Sequence, residues 1–145
     1  MNKIIVKQWE KNKKDFRILL ARLIYKGNFI YEYINLLSLI IQYVINKDCD
    51  KKDFRDPLIH DPNKITTITL GGYSGDFLFI ITPNTNYASV SELWLTKVYY
   101  GSCSGCDIML DAESRRDPKE KLELLMKLSL DIIEEFKPMS DLYPI

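Results

Sequence analysis

The spacing of apolar residues changes twice along this chain of 145 residues, and this change strongly constrains the fold. Near both ends apolar residues recur every three or four positions, the period of a helix with one buried face. Between residues 65 and 100 the spacing falls to two, the period of a β-strand. Helices therefore flank a central group of strands, and this segregation is typical of the α+β class.

Length and composition predict a single domain that spans residues 1–145, because such a chain can bury one core but is short for two. Apolar residues make up 46% and charged residues 28%, a balance that excludes a disordered protein. The start of the chain lacks the apolar run and cleavage site of a signal peptide. Three cysteines are too few for a disulfide scaffold, so we expect a reducing cytoplasm.

Two helices are predicted before the strands. The first runs from about residue 7 to residue 25 and ends at Gly27-Asn28, since both residues tolerate the left-handed conformation. The second covers residues 29–46 and is apolar on nearly every side, which predicts a central buried helix. Its narrow polar stripe and its length argue against a membrane helix, which needs about 20 mainly apolar residues.

Three strands are predicted next, and short connections favour antiparallel pairing between them. A polar segment at 47–63, with Pro57 and Pro62, is predicted to be a loop before the first strand. A glycine-rich turn at 71–76 joins the first two strands. The predicted strands are residues 65–70, 77–81 and 93–100.

The last long helix carries the clearest start signal. Asp117-Pro118-Lys119-Glu120 places Asp at the N-cap, Pro at the first helical position and Glu at the third. Lys137-Pro138 is predicted to stop this helix. A shorter helix is predicted to begin at Asp107, whose carboxylate can cap it. The predicted fold is thus a three-stranded antiparallel meander packed with two N-terminal helices and a long C-terminal helix.

Two of the three cysteines, Cys103 and Cys106, lie between the third strand and the short helix. Thiols at this spacing can share a metal ion or form a disulfide. A zinc site needs two more ligands, and the remaining candidates are Cys49 and His60. The spacing between these two residues matches no standard zinc module.

Two other interpretations of the pair stay open. The position of Cys103 after a strand and before a helix fits a thioredoxin-type motif, but the order of elements does not, since those enzymes use a βαβ pattern. Alternatively, the small residues Gly101, Ser102, Ser104 and Gly105 form a tight connection in which cysteine packs as a small side chain. The sequence favours this structural interpretation, because no further ligands lie beside the pair.

Charge is unevenly distributed although the formal net charge is zero. Residues 1–26 hold eight Lys and Arg against two Asp and Glu, whereas residues 107–145 hold six against ten. We expect these segments to neutralise each other within the fold. One side of the first helix carries a basic stripe that consists of Lys7, Lys11, Lys14 and Arg22. Such a stripe is a candidate nucleic-acid surface, but the sequence favours a solvated face because the domain is not basic overall.

Tyrosine is abundant, with nine residues. Tyr73 and Tyr87 fall in the loops that flank the second strand, at positions expected to be exposed. Tyrosine suits interfaces because it joins a large apolar area to a hydroxyl group. The two side chains are therefore candidate anchors for a partner, or covers for the sheet.

The segment 99–107 follows a strand that ends in paired aromatic residues. Together with Gly75–Ile81, it resembles a family of small uncharacterised bacteriophage proteins, and the resemblance covers about a third of the chain. It implies a phage or prophage origin and expression in the cytoplasm of a bacterial host. The motif residues are Tyr99, Tyr100, Gly101, Ser102, Cys103, Ser104, Gly105, Cys106 and Asp107.

These features favour a non-enzymatic accessory protein of phage type that binds a host protein or ribonucleoprotein. Inhibition of a bacterial defence system such as CRISPR is one concrete form. The chain has one His and no nucleophile elbow, phosphate-binding glycine loop or metalloprotease motif, which argues against an enzyme. The alternative is a thiol redox or zinc-binding protein that uses Cys103 and Cys106. We expect no cofactor other than zinc and no membrane partner, and the sequence leaves the oligomeric state open.

Overall fold

A computed structural model describes residues 3–28, 30, 32–47, 60–83 and 92–141, and it confirms the α+β class. In these ranges two α-helices precede three strands, and two further α-helices, a short strand and a 3-10 helix at Met139–Asp141 follow them. The elements are α1 (Lys3–Tyr25), α2 (Tyr33–Ile40), β1 (His60–Gly71), β2 (Gly75–Pro83), β3 (Trp94–Tyr100), α3 (Ile108–Ser114), α4 (Pro118–Glu135) and β4 (Lys137–Pro138).

The strands form one antiparallel sheet in the order β1-β2-β3-β4. The predicted three-stranded meander forms its body. A fourth strand of two residues, Lys137–Pro138, extends the sheet by pairing with Trp94 and Leu95. Two residues are too few to display a period of two, so the sequence pattern gave no sign of this strand.

The first strand begins earlier than the sequence predicted. Residues 60–63 belong to the segment predicted as a loop, but β1 starts at His60. Pro62 is compatible with this strand because β1 lies at the edge of the sheet, where a missing N–H need not break a ladder bond. Asn46 anchors the strand: its Nδ2 donates to the His60 carbonyl at 2.7 Å, and its Oδ1 accepts from the His60 amide at 3.1 Å.

The second helix is shorter than predicted and changes type along its length. Its α-helical part spans Tyr33–Ile40, and the chain continues as a π-helix over Ile41–Ile45. The Asn46 amide donates to the Ile41 carbonyl, five positions earlier, at 2.9 Å, and this spacing is that of a π-helix. The predicted central, buried position is confirmed, because most of the apolar side chains of this segment are fully buried.

Two polar side chains of α1 complete the end of this π-helix. Nδ2 of Asn12 donates to the Val44 carbonyl at 3.0 Å, and Nε2 of Gln8 donates to the Ile45 carbonyl at 3.1 Å. Carbonyls at a helix end have no partner within the helix, so a neighbouring donor must satisfy them. This need explains a buried Asn on the otherwise apolar inner side of α1.

The core lies where the helices meet one face of the sheet. The strand register places Phe77, Phe79 and Ile81 on that face, and α2 packs against β1 while α4 packs against β3. Trp9 and Phe16 of α1 are buried as predicted, with their rings edge to face at 6.1 Å. In the described parts of the chain, no helix has the length and apolar character needed to span a membrane.

Candidate functional site

Strand β3 leads directly into the segment 99–107, and its last two residues face opposite sides of the sheet. Tyr100 is buried and its ring stacks on Phe77 with 4.3 Å between centroids, whereas Tyr99 is 54% exposed. This alternation follows from the period of a strand. The Tyr100 hydroxyl donates to the Gly72 carbonyl at 2.9 Å and ties the strand end to the hairpin turn. One side of the segment is therefore anchored and the other is open to solvent.

Asp107 closes the segment and is almost fully buried, at 5% exposed. Its Oδ1 accepts hydrogen bonds from the amides of Met109 at 2.9 Å and Leu110 at 3.2 Å, which confirms the predicted helix cap. The same oxygen accepts from the Tyr33 hydroxyl, and Oδ2 accepts from the Gly101 amide at 2.9 Å. This carboxylate therefore joins α2, the end of β3 and α3.

Gly101 lies where the backbone of the segment folds back on itself. A Cβ at this position would be 2.6 Å from Cys106 Sγ and 2.9 Å from the Cys106 carbonyl oxygen. A Cβ at Gly105 would meet only Cys103 Sγ, at 4.0 Å. The absence of a side chain is thus needed at Gly101 to place Cys106, but not at Gly105.

The two thiols predicted to act together lie side by side on the surface. Cys103 and Cys106 are both free and exposed, and their Sγ atoms are 2.8 Å apart. The backbone amide of Cys103 donates to Cys106 Sγ at 3.2 Å, and the Cys106 amide donates to the Cys103 carbonyl at 3.1 Å. These bonds form a tight turn that holds both sulfur atoms in reach of the same ligand or reactant.

The environment favours the thiolate form of Cys106. The hydrogen bond from the Cys103 thiol, followed by the bond from the Cys103 amide, lowers the pKa of the Cys106 thiol. A thiolate is the form of cysteine that attacks disulfides and binds metals. The lowered pKa therefore increases the fraction of Cys106 that is thiolate near neutral pH.

A groove of about 250 Å³ borders Cys106. Lys97 and Tyr99 line it from β3, and Asp131 and Glu135 line it from α4. Burial raises the pKa of the Asp131 carboxyl above its ordinary value. A molecule that approaches Cys106 through this groove meets an aromatic ring and charges of both signs.

The residues considered for a zinc site do not all come together. His60 pairs with Pro83 at one end of the sheet and its ring lies 5.5 Å from that of Trp94, whereas Cys103 follows the opposite end of β3. Cys49 lies outside the described residues. Within the described ranges, no group of three or more His, Cys, Asp or Glu side chains is arranged to hold a metal. The Cys103–Cys106 pair supplies at most two of the four ligands that zinc prefers.

The residues predicted to bind a partner are distributed over two other surfaces. Tyr73 is 92% exposed in the turn between β1 and β2, as predicted, and Tyr87 lies outside the described residues. The members of the basic stripe on α1, Lys7, Lys11, Lys14 and Arg22, are all exposed, as expected for a solvated face. Two apolar side chains that were not predicted as binding residues, Ile18 and Tyr25, lie on the same side of α1 and are 49% and 72% exposed.

A contact between α1 and α4 bears on the uneven charge of the sequence. Arg17 of α1 forms an ion pair with Glu123 of α4. The hydrogen bond from Arg17 lowers the pKa of the Glu123 carboxyl, and the same bond raises the pKa of Arg17. The basic first helix and the acidic last helix therefore neutralise each other here, as the sequence predicted.

Tyr33 is the member of this site that sequence reasoning missed. It lies 74 positions before Asp107, inside a helix predicted to be simply buried. The sequence indicated this role only by placing a tyrosine in an apolar helix, since a buried hydroxyl requires a partner.

No known protein family, curated protein or solved structure matches the chain. The assignment of chemistry to the segment 99–107 therefore depends on its geometry.

Proposed function

We propose that the protein carries out thiol–disulfide exchange through Cys103 and Cys106. The observation that supports this proposal is the distance of 2.8 Å between two exposed sulfur atoms. A second support is the lowered pKa of the Cys106 thiol, which favours attack by this residue. The close approach of Cys106 to Gly101 adds a third, because it restricts where the Cys106 side chain can lie.

The proposed reaction conserves atoms and electrons with a substrate disulfide as the oxidant. The Cys106 thiolate attacks one sulfur of the substrate and forms a mixed disulfide, and the other substrate sulfur leaves as a thiolate. Cys103 then loses its proton to solvent and attacks Cys106 Sγ, which releases the second substrate sulfur. The protein gives up two electrons and two protons, and the substrate disulfide becomes two thiols.

The test uses a Cys49→Ser background, so that the pair supplies the thiols that react. Reduced protein is mixed with oxidised glutathione, quenched with acid and analysed by mass spectrometry. We expect an intramolecular disulfide in this background and a stable mixed disulfide at Cys106 in Cys103→Ser. We expect Cys106→Ser to react much more slowly, and Ser104→Ala, a matched control in the same turn, to behave like the background protein.

Two results would contradict exchange. One is equal reactivity of the two single-cysteine variants without any intramolecular disulfide in the background protein. The other is a stoichiometric zinc ion that survives anaerobic purification and blocks the reaction with glutathione. The second result would favour the zinc-binding alternative, in which the pair provides two thiolate ligands and other groups complete the site.

We infer a second candidate function, binding of a host macromolecule by a phage-type accessory protein, from the exposed apolar side chains near the hairpin. The register places Leu70 and Tyr99 in one row across the sheet, and they are 49% and 54% exposed. Tyr73 extends from the adjoining turn at 92% exposed. Asp76 lies between Leu70 and Tyr99 in this row, so the surface combines exposed apolar side chains with one carboxylate. Groups of exposed apolar side chains are typical of interaction sites.

This second function is tested by affinity purification from a bacterial lysate with a matched pair of variants. Tyr73→Ser removes an exposed ring at the hairpin, and Tyr25→Ser removes one from α1 that is 72% exposed. We expect a stoichiometric protein or ribonucleoprotein partner with wild type and Tyr25→Ser, and its loss with Tyr73→Ser. Equal recovery with both variants, or no stoichiometric partner, would argue against binding at this surface.

A further inference from the structure

A cavity of about 350 Å³ lies against the segment 99–107, next to the residues that Asp107 joins. It opens between the start of α2, the sheet and the start of α3. This volume is within the range of small-molecule sites. Tyr33, Phe77, Phe79 and Tyr100 form its aromatic walls, and the two carboxylates in its lining are those of Glu32 and Asp107.

The tyrosine hydroxyl groups in the aromatic walls are already hydrogen-bonded, so these side chains can offer a ligand their rings rather than a hydrogen bond. The Tyr33 hydroxyl donates to Asp107, and the Tyr100 hydroxyl donates to the Gly72 carbonyl. The Phe77 ring is tilted against Tyr33, with 5.7 Å between centroids, and is stacked on Tyr100 at 4.3 Å. Phe77 and Tyr100 therefore cover one ring face of each other, and a ligand can contact only the rest of these rings. Aromatic ring faces carry partial negative charge and attract cations within about 6 Å.

The charge of the cavity has one sign. Among its described lining residues there is no Lys, Arg or His. The four donors to Asp107 among the described residues are electrically neutral: three backbone amides and one tyrosine hydroxyl. A buried carboxylate is costly unless it is compensated, and neutral donors leave its net charge in place. Within the described part of the chain, the lining of the site therefore combines two carboxylates, without a cationic side chain, with aromatic walls.

We propose that this cavity binds a small organic cation of the alkylammonium class. The rings contact the alkylated ammonium group, and the carboxylates of Asp107 and Glu32 balance its charge. The alkylated ammonium group of such a ligand needs no hydrogen bond from the walls. This requirement fits the cavity, because the hydroxyls of Tyr33 and Tyr100 already donate to other groups of the protein. A neutral ligand of the same shape gains the apolar contact but leaves the buried charge as it was. The proposal is independent of thiol–disulfide exchange, because it requires neither sulfur atom.

The experiment compares choline with its neutral isostere, in which a carbon atom replaces the ammonium nitrogen. Reduced, full-length protein is titrated with each compound and followed by nuclear magnetic resonance. We expect saturable shifts at Phe77, Tyr100 and Asp107 with choline in the millimolar range. We expect the isostere to bind at least about tenfold more weakly, because it lacks the charge that rings and carboxylates attract.

Two variants test separately how the charge and the rings contribute to choline binding. Glu32→Gln changes an exposed side chain, so the fold is expected to survive, and choline binding should weaken about threefold while isostere binding is unchanged. Glu113→Gln, an exposed position outside the cavity, is the matched control and should bind like wild type. Phe77→Leu keeps an apolar side chain and removes a ring, so it should weaken choline binding more than isostere binding.

Equal affinity for choline and the isostere would overturn the proposal, and so would shifts that map to another part of the protein. An absence of saturable binding at millimolar choline would also overturn it. If Phe77→Leu does not fold, the Glu32→Gln result still decides, because an unchanged choline affinity in that variant contradicts the proposed role of charge.

Discussion

The hydroxyl of Tyr33 donates a hydrogen bond to Oδ1 of Asp107, 74 positions further along the chain. Tyr33 is the first residue of α2 and Asp107 is the cap of α3, so this bond connects two helix starts across the end of the sheet. Both residues are buried, at 7% and 5% exposed. The segment that carries the thiols is therefore fixed at one end to the core of the domain.

Removal of this hydroxyl is expected to destabilise the fold. In Tyr33→Phe the buried carboxylate loses one of its four donors, and a hydrogen bond to a charged group contributes about 2 kcal/mol. We expect the free energy of unfolding to fall by about that amount in urea titrations followed by circular dichroism. Tyr99→Phe removes an exposed hydroxyl and should change it by less than about 0.5 kcal/mol. A similar effect of the two substitutions would exclude a special role for the Tyr33–Asp107 bond.

The same pair predicts a pH dependence at the alkaline end. Burial, and then the hydrogen bond to Asp107, raises the pKa of Tyr33 above its ordinary value of 10.0. The unfolded chain thus releases this proton near pH 10.0 while the folded protein keeps it. The contribution of the Tyr33 hydroxyl to stability is therefore full below that pH and falls progressively as the pH rises from there toward the higher pKa of the folded state. We expect the stability difference between wild type and Tyr33→Phe to be constant at neutral pH and to shrink above pH 10.0. A difference that stays constant or grows there would contradict the assigned direction.

Gly101 and Gly105 are predicted to respond differently to the same substitution. Gly101→Ala places a methyl group 2.6 Å from Cys106 Sγ, which forces the turn to move, whereas Gly105→Ala meets Cys103 Sγ only at 4.0 Å. Disulfide formation is sensitive to such displacement. In redox titrations against glutathione, we expect Gly101→Ala to disfavour the intramolecular disulfide by about tenfold and Gly105→Ala to match wild type. Equal behaviour of the two variants would show that this packing does not position the thiols.

The reactivity of Cys106 is expected to depend on Cys103. Since the Cys103 thiol and amide lower the pKa of Cys106, loss of the thiol should move the alkylation midpoint of Cys106 to higher pH. The measurement is the rate of iodoacetamide alkylation against pH in a Cys49→Ser background. Cys103→Ala should shift the midpoint more than Cys103→Ser, because the hydroxyl of Ser can still donate. An unchanged midpoint in Cys103→Ala would mean that the neighbouring thiol does not stabilise the thiolate.

Spacing in the sequence predicted those parts of the fold that short-range physics determines. The pattern of apolar and β-branched residues marked the first three strands. Asp117 and Asp107 marked helix starts, because a cap depends on residues two or three positions away. The start of β1 escaped prediction because the side chain of Asn46 pairs with the backbone of His60. Such a contact between distant residues has no periodic signature.

The candidate site also contains one feature that depends on neighbouring residues and one that depends on tertiary packing. The proximity of Cys103 and Cys106 was predictable, since only Ser104 and Gly105 lie between them in the sequence. The cavity was not, because its walls come from α2, three strands and the start of α3, and the pairing of Tyr33 with Asp107 depends on how these elements pack. Tertiary packing of this kind is visible in a single sequence only as apolar residues that must be buried somewhere.

A final prediction compares two sides of α1. The inner side carries Asn12, which is 3% exposed and donates to the Val44 carbonyl, so Asn12→Ala leaves a buried acceptor without this partner. We expect a loss of about 1–3 kcal/mol in the free energy of unfolding. On the outer side, Lys7→Gln together with Lys14→Gln should change it by less than about 0.5 kcal/mol, because both side chains are exposed. If the double variant unfolds as readily as Asn12→Ala, the basic stripe is part of the packing, and the solvated face that the sequence favours is excluded.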